Sequence, residues 1–156
     1  MSIEKARKYL EQFNLADRVL EFSVSSATVK DAAIAVGCTE GEIAKSLTFI
    51  VDGSPIMILA DGTAKIDNSK FKAEFHTKAT MIPFDDVERL IGHVVGGVCP
   101  FGINDGVKVY LDNSLKKYSI VYPAAGNDKS AVKLGIEELE KASKFIKWVD
   151  VCKVIE

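Results

Sequence analysis

The feature that most constrains this chain is the glycine-rich stretch at residues 93–102, which reads His-Val-Val-Gly-Gly-Val-Cys-Pro-Phe-Gly. Glycine can adopt positive φ and has no Cβ, so a ligand can come close to its backbone. Pro100 fixes its own φ and lacks an N–H, which stiffens such a loop. The stretch therefore predicts either a plain tight bend between two strands or a loop whose N–H groups hold a carbonyl, carboxylate or phosphate oxygen.

The composition is ordinary for a soluble globular protein. The chain has 156 residues, of which 47% are hydrophobic and 27% are charged, and this fits one domain, residues 1–156, around one core. No apolar run approaches the roughly 20 residues that cross a bilayer, and the amino terminus lacks the features of a secretory signal. We therefore expect a cytoplasmic protein without a membrane partner.

The cysteines and the charge narrow the possible functions. Cys38, Cys99 and Cys152 are odd in number and far apart, which argues against a disulfide framework and against paired zinc ligands. Because the chain has only two histidines besides, we expect no metal site and no cofactor. A formal net charge of -2 excludes a broadly basic nucleic-acid surface. It allows contact with one nucleotide end, where few phosphates need neutralising.

Helix and strand signals alternate along the chain, separated by several tight turns. Helices are predicted at residues 2–13, 29–36, 68–75, 85–90 and 136–143, and strands at 19–24, 47–51, 56–60, 107–111, 118–122, 131–134 and 148–154. Thr39 and Glu42 form a capping-box pattern, so a further short helix is predicted to carry Lys45 into the strand at Leu47. The alternation predicts an α/β chain of the mixed α+β kind, with a mixed, mostly antiparallel sheet and flanking helices.

Standard catalytic signatures do not occur in the sequence: there is no nucleophile elbow, Walker loop or dinucleotide fingerprint. Asp85 and Asp86 are adjacent at a predicted helix start, where they stabilise the helix end rather than form a carboxylate pair. Cys99 is interpreted either as a nucleophile or as a small apolar filler. His93 is interpreted either as a general base or as a structural residue.

Three segments resemble those of a known family. Residues 96–102, Gly-Gly-Val-Cys-Pro-Phe-Gly, resemble the Gly-x-x-Pro-x-Gly loop of the YbaK family of aminoacyl-tRNA editing domains. Residues 43–47, Ile-Ala-Lys-Ser-Leu, resemble the segment with this family's characteristic lysine, and residues 121–134 resemble its third pocket segment. The family includes freestanding Cys-tRNA(Pro) and Ala-tRNA(Pro) deacylases and the insertion domain of bacterial prolyl-tRNA synthetases. Ala131 aligns with an acidic residue of the Cys-specific members, so the resemblance does not imply specificity for cysteine.

The resemblance implies a YbaK-like fold and the hydrolysis of the ester bond of a misacylated tRNA. It implies catalytic roles for Lys45 and for the backbone at Gly97 and Gly102, which would form an oxyanion site. The residues expected to bind the substrate are Ser46, Gly96, Val98, Cys99, Pro100, Phe101, Gly126 and Asn127. In this family a substrate hydroxyl or thiol is taken to assist in place of a general base. The implied partner is the acceptor end of a misacylated tRNA, with no cofactor and no metal.

Two other classes of function stay open at this point. One is a non-catalytic module that binds a tRNA end or a small ligand, although the intact Lys45 and glycine loop speak against it. The other is an accessory factor that is bound to an aminoacyl-tRNA synthetase. A slightly acidic chain has no excess of positive charge with which to bind the body of a tRNA by itself, so recruitment by a synthetase would suit it. The sequence does not define which amino acid is removed.

Overall fold

The helices and strands are described for residues 2–154 by a computed structural model. The α-helices are α1 (Ser2–Glu11), α2 (Val29–Val36), α3 (Asn68–Phe75), α4 (Val87–Ile91) and α5 (Ile136–Ser143). The strands are β1 (Val19–Glu21), β2 (Ala44–Val51), β3 (Ser54–Asp61), β4 (Ala64–Ile66), β5 (Lys108–Asp112), β6 (Ile120–Val121), β7 (Ser130–Val132), β8 (Leu134–Gly135), β9 (Trp148–Val149) and β10 (Cys152–Val154). Within these residues, no helix is both long enough and apolar enough to span a membrane.

A central sheet of four strands, in the order β2-β3-β5-β9, organises the fold. β2 and β3 form an antiparallel hairpin, and its two turn residues, Asp52 and Gly53, have φ of 51 and 77 degrees. Positive φ at both positions matches the twist of the paired strands. β5 is parallel to β3 and β9 is parallel to β5, whereas β1–β7, β4–β10 and β6–β8 are antiparallel pairs. Among the described strands, four of the six pairings are antiparallel, and the predicted mixed α/β fold with mostly antiparallel pairing is confirmed.

The apolar core covers both faces of the central sheet. Alternate residues of β3 point to opposite faces, so Met57 and Leu59 pack on the side of α1, α5 and the glycine loop. Ile56 and Ile58 pack on the other side, with Phe71 of α3. Because β3 is buried on both faces, its sequence is apolar without alternation.

The register of β2 decides the position of Lys45. Lys45 lies within β2, opposite Ala60 of β3, so the prediction of a helix at this position was wrong. The capping box of Thr39 and Glu42 is present, but it closes only a 3-10 turn at Glu40–Glu42. The hairpin turn sets a continuous pairing of β2 with β3 from Val51 back to Ala44, and this long pairing outweighs the local helix signal.

Of the other predicted elements, one helix is confirmed with both of its ends and one strand is divided in two. α2 is confirmed with its ends: the Thr28 side chain accepts a hydrogen bond from the Asp31 N–H at 3.1 Å, and Gly37 closes the helix at φ 85 degrees. The predicted last strand, residues 148–154, is instead divided into β9 and β10. The buried Asp112 carboxylate accepts a hydrogen bond from the Val151 N–H at 2.9 Å, and beyond this point the chain leaves β5 and pairs with β4.

A buried carboxylate joins the end of β3 to two neighbouring turns. Asp61 is fully buried and accepts hydrogen bonds from the Thr63 N–H and hydroxyl, both at 2.7 Å, and from the Tyr118 hydroxyl at 2.9 Å. The Lys117 ammonium lies 2.6 Å from the same carboxylate. Burial alone would raise the pKa of Asp61, but these hydrogen bonds outweigh it and hold the pKa below its ordinary value of 3.8.

Because Gly41 has no side chain, the Tyr118 hydroxyl can lie against it and donate its hydrogen bond to Asp61. A Cβ at Gly41 would lie 1.9 Å from the Tyr118 hydroxyl oxygen, whereas the nearest atom to a Cβ at Gly135 is 3.4 Å away.

We expect Gly41→Ala to destabilise the protein by about 1.5–3 kcal/mol, because it displaces a hydrogen bond to a charged group. The measurement is urea unfolding, with Gly135→Ala as the control and Tyr118→Phe as a second route to the same loss. Equal stability of Gly41→Ala and the control would contradict this account.

Candidate functional site

A largely apolar cleft of about 400 Å³ opens beside the edge strand β2. Its walls come from β2, from residues 26–32 at the start of α2, from residues 81–87, from the glycine loop and from residues 122–131. Backbone bridges of Ile43 to Tyr122 and of Phe49 to Met81 attach two of these segments to β2. A cleft with apolar walls and a few polar groups is the usual form of a small-ligand site.

The structure brings together four of the residues predicted for the site. Lys45 and Ser46 of β2 line the same cleft as Gly96 and Val98 of the glycine loop, although about 50 positions separate the pairs in sequence. The other predicted residues belong to the loop or to residues 126–127 and do not line this cleft. They are Gly97, Cys99, Pro100, Phe101, Gly102, Gly126 and Asn127.

Gly97 joins the glycine loop to the loop at residues 126–127. A Cβ at Gly97 would lie 2.3 Å from the Asn127 nitrogen and 2.4 Å from the Gly126 carbonyl carbon, so no side chain fits here. The Gly97 carbonyl accepts a hydrogen bond from the Gly126 N–H at 3.0 Å, and the Gly97 N–H donates to the Val94 carbonyl, also at 3.0 Å. Both backbone groups of Gly97 are therefore engaged within the protein.

The second half of the loop is anchored in the core. Gly102 has a φ of 76 degrees, and a Cβ there would lie 2.9 Å from the Lys5 carbonyl oxygen of α1. Phe101 is fully buried, with its ring centroid 6.2 Å from that of Tyr9. Cys99 is also fully buried, and burial raises the pKa of its thiol to about 12. A thiol in this state is a poor nucleophile at neutral pH.

Two loop residues at the cleft have N–H groups without a backbone acceptor among the described residues. Gly96 has a φ of 97 degrees, and both Gly96 and Val98 line the cleft. Within residues 2–154, neither of their N–H groups donates to a backbone carbonyl. This arrangement offers two neighbouring donors to an oxygen atom inside the cleft.

His93 closes the base of the glycine loop. Its Nε2 lies 2.6 Å from the Phe101 carbonyl oxygen, so one hydrogen bond joins the start of the loop to its end. The ring is fully buried, and its Nδ1 has no hydrogen-bond partner among the described residues. A neutral ring that donates from Nε2 satisfies this geometry, whereas a protonated ring would bury a second donor without an acceptor.

Lys45 is the charged residue among the described residues that line the cleft. Its ammonium donates a hydrogen bond to the Ala64 carbonyl of β4. Burial lowers the pKa of Lys45 below its ordinary value of 10.5, although Cys152 and Asp61 act in the opposite direction. The next residue, Ser46, has a buried hydroxyl without a hydrogen-bond partner within residues 2–154. The site therefore combines a half-buried cation, an unpaired hydroxyl and two backbone donors.

Two walls of the cleft were not identified from the sequence. Ser26 and Thr28 line it at the start of α2, where the sequence signal was understood only as a helix cap. At the mouth, Met81 and Phe84 are 58% and 74% exposed. The Pro-Phe pair at residues 83–84, placed just before two aspartates, was the available signal for an exposed aromatic residue. No group of three or more metal-ligating side chains is found in the part of the chain that the structure describes.

The fold belongs to a known class of domain. Residues 24–142 match the family model of the aminoacyl-tRNA editing domain. This match covers more than half of the chain, and the chain therefore belongs to the aminoacyl-tRNA editing domain family.

Individual relatives agree with this assignment. The chain is 45% identical over 154 residues to the uncharacterized protein YwhH of Bacillus subtilis (strain 168), a match that covers 98% of each chain. It is 30% identical over 102 residues to the proline-tRNA ligase of Staphylococcus aureus (strain Newman), a match that covers 65% of this chain but 18% of the ligase.

Solved structures share the whole fold. One is described as a candidate trans-editing enzyme for prolyl tRNA synthetase; it matches with a TM-score of 0.88 and 28% identity, over 97% of each chain. The hypothetical protein APE2540 matches with a TM-score of 0.85 and 23% identity, over 96% of this chain and 99% of that one. The resemblance to a YbaK-like editing domain is thus confirmed.

The state of His93 predicts a pH dependence of stability. Burial lowers the pKa of His93 below 6.5; the Phe101 carbonyl opposes this shift, and Lys5 reinforces it. Between the folded-state pKa and 6.5, the unfolded chain binds a proton that the folded chain does not. Stability should therefore fall as the pH is lowered from 7.5 through 6.5, by up to about 1.4 kcal/mol per pH unit from this group.

The measurement is the free energy of unfolding in urea at pH 7.5, 6.5 and 5.5. His93→Gln keeps an N–H donor for the Phe101 carbonyl but does not titrate, so its stability should change less over this range. Parallel profiles for the wild type and His93→Gln would show that His93 does not stay neutral in the folded protein.

Proposed function

We propose that the protein, acting as a single freestanding editing domain, hydrolyses the ester bond of a misacylated aminoacyl-tRNA. The observation that carries the proposal is that Lys45 lines the same apolar cleft as Gly96 and Val98, whose N–H groups donate to no backbone carbonyl within residues 2–154. Membership of the aminoacyl-tRNA editing domain family supports it. The similarity to a candidate trans-editing enzyme for prolyl tRNA synthetase supports a substrate made by that synthetase.

The backbone donors fit the charge that develops during ester hydrolysis. Water adds to the ester carbon, the carbonyl oxygen becomes negative, and the tetrahedral intermediate then expels the ribose oxygen, which takes up the proton of the attacking water. The N–H groups of Gly96 and Val98 would donate to the negative oxygen. One well-placed donor of this kind contributes about 2.7–4 kcal/mol to the stability of a transition state. In this proposal Gly97 and Gly102 act through the shape of the loop rather than as donors.

Lys45 would position the substrate through a charged hydrogen bond. Its ammonium exchanges the Ala64 carbonyl for the terminal phosphate or the aminoacyl oxygen of the bound tRNA end. A lysine ammonium has three donors on a flexible stem, so such an exchange needs no movement of β2. Partial burial strengthens its interaction with an anionic group because less water screens the charge.

The proton transfer is assigned to the substrate. The described residues that line the cleft include no histidine, aspartate or glutamate, and His93 is engaged by the Phe101 carbonyl. A ribose hydroxyl next to the ester is within reach of the attacking water in any pose that places the ester carbonyl at the loop. Substrate assistance of this kind requires no thiol, metal or side-chain base from the protein.

Recruitment by a synthetase is the second candidate. The match to the proline-tRNA ligase of Staphylococcus aureus over 102 residues favours a protein that works beside this class of enzyme.

A deacylation assay with a panel of misacylated tRNAs, with and without prolyl-tRNA synthetase, tests both candidates. Hydrolysis by the isolated protein supports the freestanding enzyme, and hydrolysis only with the synthetase supports the accessory factor. Binding of tRNA ends without hydrolysis in either case would leave a binding module.

Lys45→Ala tests the assigned cation. We expect it to lower kcat/KM for deacylation by at least about 100-fold, because the substrate loses its charged contact. The thermal midpoint should change little, since Lys45 is only half-buried. Lys65→Ala is the matched control: Lys65 is an exposed lysine that follows Ala64 in β4, and its activity should stay near that of the wild type. Activity of Lys45→Ala within twofold of the wild type would remove Lys45 from the mechanism.

Cys99→Ser tests whether a protein thiol is needed. Serine nearly keeps the volume of Cys99 and removes the sulfur from the loop, so activity should stay within about tenfold of the wild type if the thiol is not the nucleophile. Treatment with a chelator should also leave the activity unchanged. A folded but inactive Cys99→Ser protein, or an acyl group trapped on Cys99, would contradict the substrate-assisted reaction.

A further inference from the structure

The cleft contains one positive charge and no negative charge. Among the described residues that line it, Lys45 carries a charge at neutral pH, and there is no aspartate or glutamate. Tyr122 also lines the cleft, but burial raises the pKa of its phenol, as do the nearby Cys38 and Glu42, so it is neutral near pH 7. The other polar side chains that line the cleft are hydroxyls, such as those of Ser46 and Thr48.

The carboxylates closest to the cleft are engaged elsewhere or exposed. Asp61 is fully buried and bound by Lys117, Thr63 and Tyr118. Glu42 accepts hydrogen bonds from Thr39. Asp31, in the first turn of α2, and Asp128, which flanks Gly96 at the mouth, are exposed and do not line the cleft.

An aminoacyl ester would bring its α-amino group into this cleft beside the ester carbon. An α-amino group has a pKa of about 8, so at neutral pH it is mostly a cation. A cation that leaves water without a counterion is disfavoured, and the positive charge of Lys45 disfavours it further. The amino group therefore enters more favourably after it has lost its proton.

We infer that the cleft binds the aminoacyl group with its α-amine uncharged, and accepts N-acylated aminoacyl esters as well as free ones. This inference rests on the proposed deacylase function, which it extends to the charge state and the chemical class of the substrate. An N-acyl group removes the charge permanently.

Two stable analogues test the inference on the intact protein. The first is 3′-alanylamino-3′-deoxyadenosine, whose amide link is not hydrolysed as an ester is, and the second is its N-acetyl derivative. Dissociation constants are measured at pH 6.0 and 8.5. The neutral fraction of the free amine rises from about 1% to about three quarters over this range, so the first analogue should bind up to about 75-fold more tightly at pH 8.5. The N-acetyl analogue should change by less than about twofold, and it reports any titration of the protein itself.

A carboxylate introduced beside the cleft should weaken its preference for an uncharged α-amine over a charged one. Thr28 lines the cleft and caps α2, and both aspartate and asparagine are good helix caps. Thr28→Asp and Thr28→Asn should therefore fold equally well, which a thermal melt checks. Relative to Thr28→Asn, Thr28→Asp should bind the free-amine analogue at least about fivefold more tightly at pH 6.0, because only aspartate offers a counterion.

The outcomes separate the inference from the proposed function. Equal binding of the free-amine analogue at both pH values, or tighter binding of it than of the N-acetyl analogue at pH 6.0, overturns the inference. The expected binding pattern without hydrolysis of any misacylated tRNA supports the inference and overturns the deacylase function. Failure of both analogues to bind overturns the inference together with the site assignment.

Discussion

The contact between Gly97 and the backbone at residues 126–127 is the constraint on which the site depends. The backbone at Gly97 lies so close to residues 126–127 that a Cβ on Gly97 would lie 2.3 Å from the Asn127 nitrogen. Gly126 in turn lies against the first residues of α1, where a Cβ would meet the Ser2 carbonyl oxygen at 2.4 Å. Three segments that are far apart in sequence thus meet with no space between their backbones, and this packing holds the glycine loop, from which Gly96 and Val98 line the cleft.

This contact divides the glycine loop into two parts with different tasks. The part after Gly97 is fixed by buried side chains, by the Lys5 carbonyl beside Gly102 and by the hydrogen bond of His93 to Phe101. On either side of Gly97, Gly96 and Val98 line the cleft, and their N–H groups donate to no backbone carbonyl within the described residues. A rigid second half holds these donors in place without reorganisation, which is the condition for effective stabilisation of a developing negative charge.

The sequence predicted more of the fold than of the site. The glycine loop, the Asp52-Gly53 turn and both ends of α2 follow from the backbone preferences of single residues, which act locally. The position of Lys45 in a strand was not predictable in this way, because it follows from pairing with Ala60 of the next strand.

The same limit applies within the loop. Its glycines were expected to serve as donors, but which glycine faces a ligand depends on contacts with residues about 30 positions away or, for Gly102, with α1. The wall at residues 81–87 reaches the cleft through a bridge to Phe49, and no local pattern marks such a bridge. Local signals define where the chain turns, whereas the site is defined by which turns meet.

The walls of the cleft also limit how an editing domain of this kind can choose its substrate. Alanines such as Ala32, Ala44 and Ala131 form much of the wall, and an apolar wall separates side chains that differ by one methylene by only about 1–3 kcal/mol. Charge is the stronger criterion, since an unpaired cation in such a cleft costs more than a misplaced methyl group. In this view, shape selects among small acyl groups only after the electrostatics have selected for a neutral amine.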